Sequence, residues 1–444
     1  MTETTLAPAA TPAGGGRVST RRLIGGLAIT QTVGYGVMYY AFAVLLTPIA
    51  TDLRTSTAAV AGALTTSIVV AAAAAIPLGR WLDHRGGRGL MTAGSTLGVV
   101  AVVAWSQVQQ AWQLYAAFVL IGLASAASLY EAAFPVVIAA ARPGQRDRDL
   151  LSVTIVAGFA SSIFFPLTGL LLAHLGWRTA LLVLAGLLAV VAIPAHAILV
   201  PNVQPGEAGH HSNVDSSTVR EAMRDPTFWL LAGAFVAQAA AVSAVGVLLV
   251  TYLRQAGHTA TVAATISGLL GVLSVTGRLV TTGAARRIGM VTITAVVFAV
   301  QAVGVLAMPY LSRSLAGAAL CVVAFGIGFG VATIAKPAIV ADRPAPPATP
   351  PSPPPWPYPF TLARAFAPIG AAAIAPNAFL TTAGMMCLAS AALLWSIRTR
   401  RSPAGYRLDQ CRVRLSPNSV GVEPVGVPGR DSSWTSTAAG RPGL

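Results

Sequence analysis

The chain reads as an all-α membrane protein with twelve transmembrane helices in two pseudo-symmetric six-helix bundles. Three observations predict this. Of its 444 residues, 55% are hydrophobic and only 10% charged, whereas a water-soluble domain carries about 25% charged residues to cover its surface. The apolar residues gather into runs long enough to cross a bilayer, for which about 20 residues suffice. A polar hinge, Gly79-Arg80-Trp81-Leu82-Asp83-His84-Arg85-Gly86-Gly87-Arg88, has a shadow at Gly277-Arg278, 198 residues on, again with an arginine eight positions after the first (Arg88 and Arg286).

The first 22 residues are an Ala/Thr/Gly-rich tail ending in Arg21-Arg22. The apolar run that follows is too long for a cleaved signal, so an uncleaved first helix is expected. Apolar runs fall at 23–49, 57–78, 90–107, 112–140, 151–173 and 179–200, giving an N-terminal bundle over 23–200. A polar linker, 201–226, holds His210-His211, read as solvated residues rather than metal ligands. The second bundle, 227–397, has runs at 227–253, 261–282, 290–310, 316–340, 360–375 and 378–397. The Gly and Pro residues within the runs are tolerated where neighbouring helices satisfy the backbone. Small residues in span five (Gly158, Pro166, Gly169) and span ten (Gly326, Gly328, Gly330) point to close packing and hinges. Ten of the sixteen residues in 344–359 are proline. That tract reads as extended polyproline, either a true insert or a local reading-frame shift, and it precedes a short eleventh span. The tail, 398–444, is Pro/Gly/Ser-rich and expected to be disordered.

The formal charge of +15 is not a nucleic-acid footprint, because the arginines before residue 402 mostly sit in short loops. With the N-terminus in the cytoplasm, inside segments hold 17 arginines, while outside loops hold four: Arg54, Arg178, Arg254 and Arg313. This bias places both termini inside and predicts a multi-pass protein of the cell membrane. Cys321, Cys387 and Cys411 form neither a metal spacing nor a disulfide framework. There is no GxxxxGK[ST] loop, HExxH or G-x-S-x-G elbow. Neither catalysis nor a cofactor is expected.

Glu131 is the only acidic residue within a span. A carboxylate in a bilayer is costly and usually faces the bundle interior or a cavity. It is either a proton-coupling or substrate-contacting group, or a structural hydrogen-bond anchor. Gln31, Tyr35 and Tyr39 repeat every four residues and share one face of span one. That stripe is either a cavity wall for a small polar solute or interhelical glue. Arg364, four residues into span eleven, would bind a substrate carboxylate bidentately or snorkel from the helix end. Lys336 reads as a snorkelling residue. Arg278, aligned with Arg80 through the repeat, reads as a helix-end residue.

The pattern Gly79-x-x-x-Asp83-x-x-Gly86-Gly87-Arg88 between spans two and three resembles the loop signature of the major facilitator superfamily. Gly277, Arg278, Arg286 and Arg287 echo it after span eight, with Thr281 where Asp83 would align. Gly176-Trp177-Arg178 and the run Arg224-Asp225-Pro226-Thr227-Phe228-Trp229 fit the same family. Together with span one, that last run is mildly similar to its monocarboxylate-porter branch. The resemblance covers about 20–400. It implies a secondary transporter working by alternating access about a midplane site, with a small-molecule solute and protons as partners, acting as a monomer. It also implies that Gly79, Asp83, Arg85, Gly86 and Arg88, with Gly277, Arg278 and Arg286, form a latch stabilising the outward-open state. A drug or metabolite efflux pump and a non-transporting membrane sensor are the competing readings.

Overall fold

The structure, a computed structural model, describes residues 20–142, 144–201, 224, 226–341 and 357–400. The N-terminal tail, most of the linker with His210-His211, most of the proline tract and the C-terminal tail lie outside the described residues.

Helix α1 (Thr20–Tyr35) continues through one π-helical turn (Gly36–Tyr40) into α2 (Ala41–Asp52), forming the first span. The N-terminal half then runs α3 (Thr57–Arg85), α4 (Gly87–Ser106), α5 (Ala111–Ser128), α6 (Tyr130–Ala140), α7 (Arg146–Ala157) and α8 (Ala160–Leu199). The C-terminal half runs α9 (Pro226–Gln255), α10 (Ala260–Ile288), α11 (Met290–Leu311), α12 (Leu315–Gly326), α13 (Val331–Ala341), α14 (Pro357–Ala372) and α15 (Pro376–Arg400). Ten stretches of the described residues are long and apolar enough to cross a membrane. The longest, Arg148–Leu199 at 52 residues, contains Gly176 at φ 73 and ψ 166 and so divides into two crossings. Helix α14, at 16 residues, completes the twelve; at about 1.5 Å per residue it is short for a bilayer core of about 30 Å.

Helix α14 begins at Pro357, inside the segment read as wholly non-helical. Prolines are accepted in a first helical turn because the N–H they lack would have no intrahelical acceptor there. The earlier start puts Arg364 two turns inside the helix rather than at its end.

The two halves repeat, but at an interval of 203 residues, not 198. Helices α3 and α10 are both 29 residues long, opened by Ser56 and Thr259, whose side chains accept from the N–H groups of Ala59 and Val262. They close on Gly86 (φ 76) and Gly289 (φ 81), which also open α4 and α11. The turns before α3 and α10 match bond for bond. Leu53 N–H donates to Ile49 O at 2.9 Å and Ala256 N–H to Tyr252 O at 2.9 Å. Thr55 N–H reaches Ala50 O at 2.9 Å and His258 N–H reaches Leu253 O at 3.1 Å. Arg54 takes φ 50 where Gly257 takes φ 103. In this register Gly79, Arg80 and Asp83 stand opposite Thr282, Gly283 and Arg286, and Arg278 stands opposite Ala75. The glycine–arginine pairs that suggested the repeat are not equivalent: caps and turns set the register, and Arg278 lies over a turn deeper in its span than Arg80.

The halves meet along α3 with α14, along α8 with α10 and along α2 with α9. Thr65 Oγ1 donates to Ala365 O, and Ser162 Oγ donates to Gly268 O at 2.6 Å. Both pairings, 65 with 268 and 162 with 365, obey the 203 register, so the interface has its own two-fold pseudo-symmetry. Within the N-terminal half, buried His196 ties three spans through Ser95 Oγ (2.7 Å) and Thr30 Oγ1 (3.0 Å). Thr30 Oγ1 donates to Leu27 O, so it accepts from His196 Nε2–H, which leaves Nδ1 to accept from Ser95.

Candidate functional site

Between the halves lies a polar cluster in otherwise apolar surroundings. The π-helical turn at Gly36–Tyr40 adds a residue to one helical turn and rotates the face that follows, as such turns do at functional sites. Phe164 packs where a Cβ on Gly36 would stand, so the chain can approach closely there only with glycine. Tyr35, Tyr39 and Tyr40 are half-buried. Tyr35 lies 4.7 Å from Tyr130, ring centre to ring centre, Tyr39 lies 5.3 Å from Tyr40, and Tyr40 lies 5.4 Å from Phe165.

Arg364 faces this group from the other half. Its guanidinium pairs with the Tyr39 hydroxyl, and Tyr35 and Tyr40 lie within its electrostatic range. The side chain is nonetheless exposed, so it projects into open space between the halves. Glu131 stands in the first turn of α6, where the helix dipole favours a carboxylate, and is also exposed, within range of Arg364 and Tyr35. A break at Leu129 between α5 and α6 presents Tyr130 and Glu131 together.

Gln31 is set apart from its neighbours in the stripe. It is fully buried, and its Nε2 donates to Ser128 O at 2.9 Å, a carbonyl freed by that same break. In this structure it joins helices and does not line the open space. Three groups that the sequence did not single out for the cavity join the cluster: Tyr40, Tyr130 and Arg278. Arg278 donates through Nε to Gly330 O at 3.2 Å and through Nη1 to Thr154 O at 3.2 Å. It thus ties the break between α12 and α13 to the last turn of α7 in the opposite half, within electrostatic range of Tyr40 and Tyr130. Once the register is 203, a charge this deep in a span is the signal for its role. The Lys336 ammonium lies 4.7 Å above the Phe360 ring of its own half.

The polar hinge lies at the end of α3. Gly86 takes positive φ as both the cap of α3 and the start of α4. Arg88 Nε donates to Val200 O at 2.7 Å, binding α4 to the end of α8 within its own half. Arg85 stacks on Trp81 at 4.5 Å, one turn back. Asp83 is half-buried, and Gly79 has open space where a Cβ would point. At Gly277 a Cβ would meet Ile327 O at 1.8 Å, so that glycine permits close packing of α10 against the end of α12. The Arg286 side chain lies outside the described residues.

Two six-helix halves joined by pseudo-symmetric contacts, with arginines, a carboxylate and tyrosines between them, define a transmembrane transporter. The family model for the Major Facilitator Superfamily matches residues 27–349, and the chain belongs to that superfamily. The match ends inside the proline tract, so Arg364 is placed by the structure rather than by the family pattern. The fold is similar to the crystal structure of a mutant form of the nucleoside transporter NupG, with a TM-score of 0.65 and 12% identity, covering 86% of this chain and 100% of that one. It is also similar to a bacterial homolog to the human lysosomal transporter Spinster in inward-facing crystal structures. The unoccupied form gives a TM-score of 0.63 and the occupied form 0.65, each at 12% identity and covering 88% of this chain and 100% of that one. At such identity the likeness is one of fold. No curated protein sequence matches the chain.

Proposed function

We propose that the protein is a secondary active transporter of a small organic anion of the monocarboxylate type, coupled to protons and working by alternating access. The observation that carries this is Arg364: a guanidinium from the C-terminal half, exposed between the halves and ringed by tyrosines of the first span. Guanidinium binds carboxylate bidentately and keeps its charge in any environment. With Arg278 nearby and Glu131 the only carboxylate in the group, the cavity carries an excess of positive charge that an anion would balance. Glu131 is the group proposed to take and release the proton, because it faces both the cavity and the Arg364 field. In this reading both termini are cytoplasmic, the protein sits in the cell membrane, and the spans of a single chain enclose the path.

Uptake of labelled acetate and lactate into proteoliposomes, driven by a pH gradient, tests it. Arg364→Gln is expected to lower kcat/KM by about a hundredfold, the worth of a lost bidentate charged contact. Glu131→Gln is expected to keep exchange of internal for external solute and to lose accumulation against a gradient. Wild-type accumulation by Glu131→Gln would remove the proton role, and unchanged carboxylate uptake by Arg364→Gln would remove the anion site. Export of dyes, without carboxylate uptake, would favour the efflux reading.

A further inference from the structure

We propose that the C-terminal half carries a second binding site, for a small carboxylate, at the bundle end where α9 and α11 finish. The proposal does not depend on the reading of the central cavity. An open cavity of about 300 Å³ lies there, lined by Tyr252, Gln255, Pro309, Ser312, Arg313 and Asn377 among others.

The repeat gives this cavity a counterpart with known contents. In the N-terminal half, the guanidinium of Arg178 enters the same place. Its Nη2 pairs with Asp52 Oδ2 at 2.7 Å, and its Nη1 donates to Ser106 O at 3.0 Å and Val108 O at 2.8 Å. In the 203 register Asp52 corresponds to Gln255 and Ser106 to Pro309, and both counterparts line the cavity. Arg178 is the second residue after the Gly176 break, and Asn377 is the second residue of α15; the interval here is 199 rather than 203, so the two are matched by their place at the start of the last span of each half. The shorter asparagine leaves open the space that the Arg178 side chain fills.

The substitutions also unbalance the charge. The N-terminal slot holds a complete ion pair. The C-terminal cavity has lost the carboxylate, Gln255 for Asp52, and has gained a cation, since Arg313 corresponds to Gln110. No acidic residue is among its lining residues. Ser312 is already engaged: its hydroxyl lies 3.3 Å from the Tyr252 hydroxyl and its carbonyl 2.6 Å from His258 Nε2. The remaining polar side chains of the lining are therefore one guanidinium, that of Arg313, and two amides able to donate, those of Gln255 and Asn377. A ligand carboxylate supplies the missing half of an ion pair, the Arg313 guanidinium takes it, and Gln255 and Asn377 donate the flanking hydrogen bonds. A cation meets a like charge there and no counter-ion.

Acetate is the probe, titrated calorimetrically into the purified full-length protein carrying Arg364→Gln, so that the central site does not contribute. One saturable acetate site is expected to remain. Adding Arg313→Gln is expected to weaken it by about tenfold or more, the worth of one charge-assisted hydrogen bond. Gln255→Asp combined with Asn377→Arg rebuilds the N-terminal ion pair inside the cavity. That variant is expected to fold with an unchanged or higher Tm and to bind no acetate in the same background. Absence of acetate binding to Arg364→Gln protein, or binding undiminished by both the Arg313→Gln and the rebuilt-pair variants, overturns the proposal. Failure of the central-site reading looks different: Arg364→Gln would then leave the number of acetate sites in the wild type unchanged, and Arg313→Gln would still remove one.

Discussion

Two glycines that look alike in the sequence do different work. Gly277 sits where a Cβ would come within 1.8 Å of the Ile327 carbonyl, a backbone atom that cannot swing aside, whereas a Cβ on Gly79 meets nothing within 4 Å. Overpacking against backbone forces the helices apart and typically costs about 1–3 kcal/mol. Gly277→Ala is therefore expected to lower the Tm of the detergent-solubilised protein by several degrees, and Gly79→Ala to leave it within error. Equal effects would show that α10 and α12 do not approach as described. Helix propensity favours alanine at both positions equally, so the difference between the variants isolates packing. Arg278, next to Gly277, depends on that approach: its bond to Gly330 O holds only while α10 lies against the α12–α13 break.

At the scale of elements, the junction of α7–α8 with α10 is a ladder of small residues. A Cβ on Gly169 would touch Ala264, one on Gly268 would touch Pro166, one on Gly271 would touch Ser162, and one on Gly158 would touch Val275. The Arg278–Thr154 bond closes the series. At the centre, Ser162 Oγ donates to Gly268 O and accepts from Val272 N–H at 2.8 Å, engaging both ends of one helical hydrogen-bond step of its neighbour. Side chains that enter the helical ladder in this way mark bends and flex points. Gly271→Ala would place a methyl 2.3 Å from that hydroxyl. It is expected to slow transport about tenfold or more while leaving solute affinity close to wild type, because it wedges the halves without touching the cavity. A variant with wild-type turnover would show that this junction bears no load in the cycle. The twelve apolar runs, the polar hinge and the small residues of span five were legible, because hydrophobic length and glycine placement are local properties. The repeat register was not. It resides in caps and turns, where Ser56 and Thr259 or Arg54 and Gly257 do the same job with different side chains, while the matching Gly-Arg pairs are coincidence. The surroundings of Arg364 were illegible for another reason: its partners on the first span and on α6 lie more than 200 residues away in sequence, and the start of its own helix is obscured by proline.

For the molecule as a whole, the question is which end parts when the halves move. At the end where α2 and α9 finish, the first span of each half meets its counterpart directly: Thr47 Oγ1 lies 3.0 Å from Thr251 Oγ1. The contact joins near-equivalent positions of the repeat, so it sits close to the pseudo-two-fold axis, where a rocking motion that opens this end must separate it. Neither hydroxyl is held by a charge, so the contact is worth only about 1 kcal/mol and can break on each cycle. Cysteines at both positions would bring their sulfurs close enough to bond. Cys321 and Cys387 are buried and would not compete, and Cys411, outside the described residues, is replaced by serine in the test background. Thr47→Cys with Thr251→Cys is expected to transport when reduced, to stop when oxidised, and to recover on addition of a reductant. Each single cysteine variant should ignore the oxidant. If the oxidised double variant, shown cross-linked by mass, carried solute at the reduced rate, this end would never open and the cycle could not be a rocking of the two halves. Arrest would place the moving gap at the end that the arginine bias assigns to the outside. The Arg278–Thr154 bond, far along α10 from its start beside that gap, would then tie the halves toward the opposite end.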